Sequence, residues 1–262
     1  MIILRATSQR GLSLIEIMVA LLLSSLLILG VTQIYIDNKA NYVFQQGQSG
    51  NNEDARYTLL ILEEELRRTG YRIQPDTQPL DADDQDFAFR AEMSGDCNFE
   101  QGQVITYNAD DQRICLRYQP FRDPVVSCDG VTHPGPPNPY EINAAVSNII
   151  VELVFNDGEL LCNGAAITGN LADLKFEFGI ANQDSREAST YTATPSATDD
   201  DIQSVRYAAL LRSRFSNIAD STDSLAYAAW RSQHYNEADA TAPDRALYLM
   251  TENTINLRNL TR

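Results

Sequence analysis

The feature that most constrains this chain is an apolar run near its N-terminus. Between Leu12 and Ile36 the only residue with a formal charge is Glu16. An α-helix rises about 1.5 Å per residue, so a run of this length crosses a hydrocarbon core of roughly 30 Å. We therefore predict that residues 12–36 form a transmembrane helix that anchors whatever the rest of the chain folds into.

The charges on either side of the run predict its direction in the membrane. Arg5 and Arg10 precede it and Asp37 follows it. Because basic residues are retained on the cytoplasmic side, we expect the N-terminus in the cytoplasm and the chain after Asn38 in the periplasm. An ordinary secretory signal has a shorter apolar region followed by a small-residue cleavage site, which is not the order found in this sequence.

The residues just ahead of the run carry a family resemblance. The block from Gln9 to Glu16 reads QRGLSLIE, with a glycine directly before an apolar residue and a glutamate soon after it. It resembles the type III signal of prepilins. The resemblance implies that residues 1–11 are a leader, that a prepilin peptidase cuts between Gly11 and Leu12, and that the amino group of Leu12 is then N-methylated. Phenylalanine is the commoner first mature residue in that family. Leu12 departs from this pattern, and the departure affects the expectation of N-methylation more than that of cleavage.

Glu16 is the one acid inside the apolar run. A carboxylate within a membrane helix is costly unless it is paired or protonated, so such a residue is by default a functional candidate. The prepilin resemblance implies that Glu16 meets the N-terminal amine of a neighbouring subunit during assembly, a pairing that a low dielectric constant strengthens. The alternative is a glutamate close enough to the cytoplasmic surface to stay hydrated.

The helical pattern continues beyond the membrane segment, and residues 37–72 are expected to extend the N-terminal helix. Gly47 and Gly50 predict a weak point in this extension, and Gly70 predicts its end. Apolar residues recur at steps of three and four, which predicts one stripe packed on a globular domain. The stripe consists of Ala55, Leu59, Leu62 and Leu66, and the opposite face carries Glu63 and Glu64 four residues before Arg67 and Arg68, a spacing that favours ion pairs.

Residues 73–262 show strand patterns and predict a globular, β-rich periplasmic domain. The predicted class is α+β and type IV pilin-like, with the long N-terminal helix packed on an antiparallel β-sheet. The proline-rich segment 132–140 predicts an irregular loop. Two hairpins are expected, 104–107 with 114–118 and 149–155 with 159–162, the second around Asp157-Gly158. Half-buried strands are expected where apolar and polar residues alternate, at Leu174, Phe176, Phe178 and Ile180 and at Val205, Tyr207, Ala209 and Leu211.

Four cysteines lie at wide spacings: Cys97, Cys115, Cys128 and Cys162. No C-x-x-C pair is present, so the patterns of zinc ribbons and thioredoxin-like proteins are absent from the sequence. In an exported domain two disulfide bonds are expected. Cys115 with Cys128 inside Cys97 with Cys162 and sequential pairing are equally compatible with the spacing.

Composition and motifs argue against several other functions. The formal net charge is −16, which disfavours direct binding of nucleic acid. The acidic runs 81–86 and 199–201 offer oxygen ligands but lack EF-hand spacing, so solvated loops are the simpler interpretation. His133 and His234 lie in no metal-ligand motif, and no nucleophile elbow or phosphate-binding glycine loop occurs. We expect no catalytic residues, no metal and no cofactor.

Further stretches resemble PilW-type minor pilins and J-type pseudopilins. They are residues 55–60, residues 65–72, residues 204–213 and residues 253–259. The PilW-type resemblance implies a low-copy structural subunit that primes pilus assembly at the tip and supports twitching motility, adhesion or DNA uptake. The implied partners are other minor pilins, the major pilin, the prepilin peptidase and methyltransferase, and the inner-membrane assembly platform.

Two rival functions fit parts of the same sequence. A J-type pseudopilin of type II secretion would share the anchor, the processing and the long helix. A single-pass periplasmic enzyme or binding protein would use residues 12–36 only as an anchor. The mature N-terminus separates the second rival from a prepilin, because an anchor that is not processed keeps Met1.

Overall fold

The computed structural model describes Gly11 and residues 13–74, 89–138, 147–181, 188–195 and 202–260. Two compact units are present, residues 1–46 and residues 47–262. The elements in chain order are α1 (Leu14–Arg68), β1 (Glu92–Ser94), β2 (Cys97–Phe99), β3 (Ile105–Asn108), β4 (Arg113–Tyr118), β5 (Val125–Val126), β6 (Thr132–His133), β7 (Ile149–Asn156), β8 (Glu159–Cys162), β9 (Ala165–Thr168), β10 (Leu171–Ala181), β11 (Ala188–Thr192), β12 (Ile202–Arg212), α2 (Leu225–Tyr235) and β13 (Tyr248–Asn256).

The first unit consists of the N-terminal part of α1. Within the described residues, α1 is the one helix that is long and apolar enough to cross a membrane. The apolar side chains of residues 14–36 are all exposed, and Leu14, for example, is 76% exposed. The described residues 14–36 therefore form no core among themselves, and their apolar surface is available to lipid or to other helices.

The second part of α1 packs on the globular unit by the predicted stripe. Ala55, Leu62 and Leu66 are buried, and Leu59 packs against the same core. The expected pairs on the outer face also form, because Arg67 lies 2.6 Å from Glu63 and Arg68 contacts Glu64. The helix ends at Arg68, and Gly70, two residues later, takes a positive φ of 74°.

The predicted weak point near Gly47 and Gly50 does not interrupt α1, which passes through both residues without a break. Gly47 is buried, and a Cβ atom placed on it would lie 2.6 Å from Cδ1 of Ile218. Its missing side chain therefore allows close packing of the connection between β12 and β13. Gly50 has nothing within 4 Å of the equivalent position and carries no such constraint.

The globular unit contains two large antiparallel sheets where the sequence predicted a single sheet. One has five strands in the order β3-β4-β7-β8-β9, and the other has four in the order β11-β10-β12-β13. The pairs β1-β2 and β5-β6 are separate two-stranded sheets. Side chains from both large sheets and from α1 meet in one core, in which Leu62, Leu153 and Tyr207 are fully buried or nearly so.

Both predicted hairpins are present. β3 pairs with β4, and β7 pairs with β8. In the second hairpin Asp157 and Gly158 both have positive φ values, 47° and 83°, as the tight turn predicted from Asp-Gly requires. The local turn chemistry therefore fixes the register of that pair.

Strand β12 differs from the half-buried strand that its alternation predicted. Val205, Tyr207, Ala209 and Leu211 face the main core as expected, but Ala208 and Leu210 on the other face are buried against Trp230 of α2. Helix α2 was not predicted from the sequence. This short helix begins after Ser224, whose side chain accepts a hydrogen bond from the backbone N–H of Tyr227, and it covers the second face of the sheet.

The disulfide bonds are sequential. Cys97 is bonded to Cys115 and Cys128 to Cys162. The expectation of two disulfides is confirmed, and of the two pairings left open the nested one is wrong. The first bond ties β2 to β4, and the second ties the segment before β6 to β8.

Some of the predicted loops lie outside the described residues. The acidic runs 81–86 and 199–201 lie there, as do the last two residues of the proline-rich segment 132–140. Within the described part of that segment, Thr132 and His133 form the short strand β6, and residues 134–138 contain no helix or strand, in agreement with the predicted loop.

Candidate functional site

The segment around the proposed cleavage site lies at the start of α1. Gly11 is exposed, and no atom lies within 4 Å of the position that a Cβ would occupy there. Leu12 is outside the described residues. The first helical residue is Leu14, so a peptidase would meet Gly11 three residues ahead of the helix.

Glu16 lies in the first turn of α1 and closes that turn. Its Oε2 atom accepts a hydrogen bond of 3.0 Å from the backbone N–H of Ser13. The first N–H groups of a helix have no partner within the helix, and a carboxylate there is also favoured by the helix dipole. In the single chain, the carboxylate therefore satisfies a backbone donor close to the residue that would become the new N-terminus.

Two of the hydroxyl groups inside the apolar run donate to carbonyl oxygens of the helix itself. Ser25 Oγ donates to the carbonyl oxygen of Leu22 over 2.8 Å, and Thr32 Oγ1 donates to that of Ile28 over 2.7 Å. Polar groups in a bilayer must find partners within the protein, and these bonds meet that requirement. Ser25 and Thr32 are thus compatible with the apolar environment predicted for residues 12–36.

A buried ion cluster fixes the other end of α1 to the globular unit. Glu65 is 2% exposed, accepts a 2.9 Å hydrogen bond from Nη1 of Arg68, and accepts a 3.0 Å hydrogen bond from the hydroxyl of Tyr118 on β4. Arg68 also donates to the carbonyl oxygen of Val126 on β5. Burial raises the pKa of Glu65, and the charge of Arg68 and the Tyr118 hydrogen bond only partly oppose that effect.

The C-terminal segment closes the end of α1. Asn259 Nδ2 donates to the carbonyl oxygens of Arg67 and Thr69, at 3.0 and 3.1 Å. These carbonyls lie at the helix C-terminus, where intrahelical donors run out. Leu260 packs against Gly70, where a Cβ atom would come within 2.6 Å of it. Residues at both ends of the chain that carry the PilW-type resemblance therefore meet in one structural junction.

Arg117 is a buried guanidinium that the sequence analysis did not single out. It is 0% exposed and donates to the carbonyl oxygens of Gln103, Arg90 and Glu100. Its guanidinium also lies over the ring of Phe99, 4.7 Å from the centroid. Burial lowers the pKa of Arg117 to about 10, and the negative charge of Glu92 opposes this effect in part. Its partners are backbone groups distant in sequence, so no local pattern could have revealed it.

The structure brings a serine, a histidine and an aspartate together beside the second disulfide. Ser127 Oγ donates to Oδ1 of Asp129 over 2.5 Å, and His133 Nε2 lies 3.0 Å from the same Oγ. A serine has one hydroxyl proton. Two oxygen acceptors other than the histidine lie within reach of that proton, Oδ1 of Asp129 and the carbonyl oxygen of Val131 at 3.2 Å, so the geometry is not that of a histidine base that activates a serine nucleophile.

Asp129 in this group is a turn residue. It accepts hydrogen bonds from Ser127, from the backbone N–H of Val131 and from Asn163. Partial burial acts to raise the pKa of Asp129, but these hydrogen bonds outweigh it and hold the pKa below the usual value. The hydrogen bonds of this cluster therefore stabilise a tight turn next to Cys128.

The other histidine packs in the small core under α2. The ring of His234 lies 4.2 Å from that of Trp230, and burial lowers the pKa of His234. Asp173 lies in the same region and accepts hydrogen bonds from the indole of Trp230 at 3.0 Å and the hydroxyl of Tyr235 at 2.6 Å. Over the described part of the chain, no three His, Cys, Asp or Glu residues are grouped closely enough to hold a metal ion.

Comparisons with known proteins find a known motif in the N-terminal segment. Residues 7–32 match the family model described as the prokaryotic N-terminal methylation motif. The chain therefore carries the signal that is typical of type IV prepilins. None of the curated proteins matches the chain significantly. Among solved structures, a type IV-like pilin from Thermus thermophilus is similar with a TM-score of 0.47 and 11% sequence identity, over 80% of this chain and 97% of that chain.

Proposed function

We propose that this chain is a prepilin that is processed and built into a type IV pilus as a minor pilin. The observation that carries the proposal is the methylation motif at residues 7–32, joined without interruption to a helix whose apolar side chains are exposed over residues 14–36. A soluble domain gains nothing from such a helix. A subunit that passes from a membrane into a helical filament needs it in both places.

The proposed processing follows from this segment. A prepilin peptidase cuts between Gly11 and Leu12, and a methyltransferase then modifies the amino group of Leu12. Cleavage creates a new positive charge at Leu12, four residues before the carboxylate of Glu16. In a low dielectric environment an ammonium and a carboxylate on neighbouring subunits attract strongly, and the pairing removes an isolated charge from the apolar phase. Gly11, Leu12 and Glu16 are thus the working residues.

Each segment of the chain has a role in the proposed processing and assembly. Residues 1–11 are the leader, residues 12–36 the membrane and assembly helix, residues 37–72 its periplasmic continuation, and residues 73–262 the periplasmic domain. The subunit is inserted once in the inner membrane and reaches the cell surface with the filament. As a PilW-type minor pilin it primes assembly from the tip, together with other minor pilins, the major pilin and the inner-membrane platform, and it catalyses no reaction.

Deletion of the gene tests this role directly. We expect fewer surface pili by electron microscopy and reduced twitching, with both restored by the wild-type gene. Normal pili combined with a loss of protein secretion would instead identify a J-type pseudopilin. Normal pili and normal secretion would contradict a role in either filament and favour an anchored periplasmic enzyme or binding protein.

A further inference from the structure

The outer edge of β13 is the longest unpaired strand edge in the described part of the molecule. β13 spans Tyr248–Asn256, pairs on one side with β12, and ends the four-stranded sheet. The nine pairs between β12 and β13 run without a register shift. The strand is therefore regular along its whole length and offers a straight edge on its other side.

The register shows which backbone groups point outward from that edge. Ser213 N–H donates to Leu247, and Leu257 N–H donates to Gln203, so these hydrogen-bonded pairs bracket the ladder at its two ends. In an antiparallel pair the hydrogen-bonded positions recur at every second residue. The odd-numbered residues of β13 thus bond to β12, while the N–H and C=O groups of the even-numbered residues face away from the sheet.

Most of these outward groups have no hydrogen-bond partner among the residues that the structure describes. The N–H of Thr254 is satisfied locally by Oδ1 of Asn253, and the carbonyl of Asn256 accepts from Arg258. Among the described residues, no hydrogen bond satisfies the outward N–H groups of Tyr248, Met250 and Glu252. Three consecutive outward positions therefore form a template for another strand.

The edge also lacks the usual protection against pairing. Natural edge strands are kept short or carry bulges, prolines or charges, above all lysine. β13 contains no proline and no bulge, and Glu252 is its one charged residue. The other edges of the two large sheets are shorter: β3 and β9 have four residues each, β11 has five, and register shifts interrupt the pairing of β9 and β11.

The direction of α1 restricts which chain can pair with this edge of β13. Two copies that pair antiparallel through β13 are related by a two-fold axis perpendicular to the sheet. That axis reverses every direction within the sheet plane. Residues 47–68 of α1 lie on the face of this sheet, where Leu59 accepts a hydrogen bond from Tyr207, so the axis also reverses the direction of α1. Subunits that enter one filament through α1 all point the same way, so antiparallel self-pairing is excluded for them.

We propose that β13 binds an extended segment of a different subunit of the same filament, which adds to the sheet as a fifth strand. The segment would bond through its backbone to Tyr248, Met250 and Glu252, and a basic or neutral residue opposite Glu252 would suit the acidic character of this chain. This inference rests on the proposed function, because it needs the chain to be incorporated in a filament.

Amide hydrogen exchange of the full-length chain tests the proposal. In detergent micelles the amides of Tyr248, Met250 and Glu252 should exchange fast, while those of Leu249 and Thr251, which bond to β12, are protected. In purified filaments we expect exchange at the three outward amides to slow by roughly tenfold or more. Unchanged exchange in filaments that contain the chain would overturn the proposal for β13 alone. Absence of the chain from filaments would overturn both this proposal and the proposed function.

A matched pair of variants isolates the backbone contribution. Glu252→Pro removes an outward N–H without removing a bond to β12, and Glu252→Thr removes the same charge but keeps the N–H. We expect incorporation into filaments to fall for Glu252→Pro and to stay near wild type for Glu252→Thr. Equal incorporation of the two variants would contradict the proposal, and if Glu252→Pro does not fold, the exchange experiment on the wild-type chain still decides.

The identity of the occupant needs a separate measurement. A photoreactive benzophenone side chain placed at Thr254, which is exposed, should form a cross-link in assembled filaments. A cross-link to an extended segment of another pilin subunit, lost in the Glu252→Pro background, supports the proposal. A cross-link to a second copy of this chain would contradict it.

Discussion

The two halves of α1 are one continuous helix but are stabilised in opposite ways. Residues 47–68 bury a stripe of small and apolar side chains in the domain core, whereas residues 14–36 expose every apolar side chain that the structure describes. The second half therefore finds its partners within the chain, and the first half needs partners from outside it. This difference separates residues that fold the subunit from residues that assemble it.

The largest effect is expected from the first half. Glu16→Ala should reduce incorporation into filaments to near background, because the proposed partner of the new N-terminal amine is lost. The free energy of unfolding of the domain should change by less than about 0.5 kcal/mol, since Glu16 belongs to the other compact unit. Pilus fractions analysed by immunoblotting and chemical denaturation of the detergent-solubilised chain measure the two quantities.

Glu16→Gln is the matched control for that experiment. Glutamine keeps an acceptor for the backbone N–H of Ser13 but has no charge. If charge pairing is the reason for the defect, Glu16→Gln assembles as poorly as Glu16→Ala. Normal assembly of Glu16→Gln would show that closing the first turn of α1 is what matters.

The second half should respond to mutation as a core element does. Leu66 is fully buried, so Leu66→Ala should lower the free energy of unfolding by about 3 kcal/mol through lost burial and the cavity left behind. Leu60 lies on the same helix but is 57% exposed, and Leu60→Ala should change stability by less than about 0.5 kcal/mol. Equal losses in urea denaturation would show that the buried and exposed faces have been assigned wrongly.

A smaller effect, dependent on pH, is expected from Glu65. Burial raises its folded-state pKa above the ordinary value of 4.5, so the folded chain binds this proton more tightly than the unfolded chain. The contribution of Glu65 to stability is thus most favourable below its unfolded pKa and becomes less favourable as the pH rises through the raised value. Relative to Glu65→Gln, the wild-type chain should gain stability as the pH falls from about 7 to about 4.

Denaturation midpoints of the two proteins across that pH range test the sign. The difference between wild type and Glu65→Gln removes contributions that other titrating groups make equally to both. If the wild-type chain instead loses stability relative to Glu65→Gln as the pH falls, Arg68 and Tyr118 stabilise the charged carboxylate of Glu65 more than burial destabilises it.

The smallest effect concerns Gly47 and Gly50, two of the glycines of the same helix. Gly50→Ala should raise the free energy of unfolding by about 0.5–1 kcal/mol, because alanine has the higher helix propensity and the site is open. Gly47→Ala gains the same propensity but forces Ile218 to move, so its gain should be smaller or absent. Thermal unfolding followed by circular dichroism compares them, and an equal gain at both sites would show that Gly47 is not needed for packing.

The sequence predicted what is encoded locally. The stripe at Ala55, Leu62 and Leu66 follows from helical periodicity, and the turn at Asp157-Gly158 follows from the conformational preferences of its two residues. For α2 a local signal existed, since Ser224 caps a run rich in alanine, but Trp230 is its one buried residue and the run shows no apolar stripe.

What the sequence could not predict depends on contacts between distant residues. The three carbonyls around Arg117, the sequential pairing of the cysteines and the close packing at Gly47 are set by tertiary structure. The packing role of Gly47 was not predictable for this reason, because a glycine inside a helix weakens it on propensity alone but is tolerated where close packing compensates. For the candidate site, the motif predicted Gly11, Leu12 and Glu16 as working residues, and those roles stay predictions.

Mass spectrometry of the N-terminus of the mature chain, purified from membranes and from filaments, tests the central claim most directly. We predict that the chain begins at Leu12, that its α-amino group carries a methyl group, and that residues 1–11 are missing. An intact Met1, or a cut beyond Ile36 that removes the apolar helix, would contradict the claim that this chain is a prepilin.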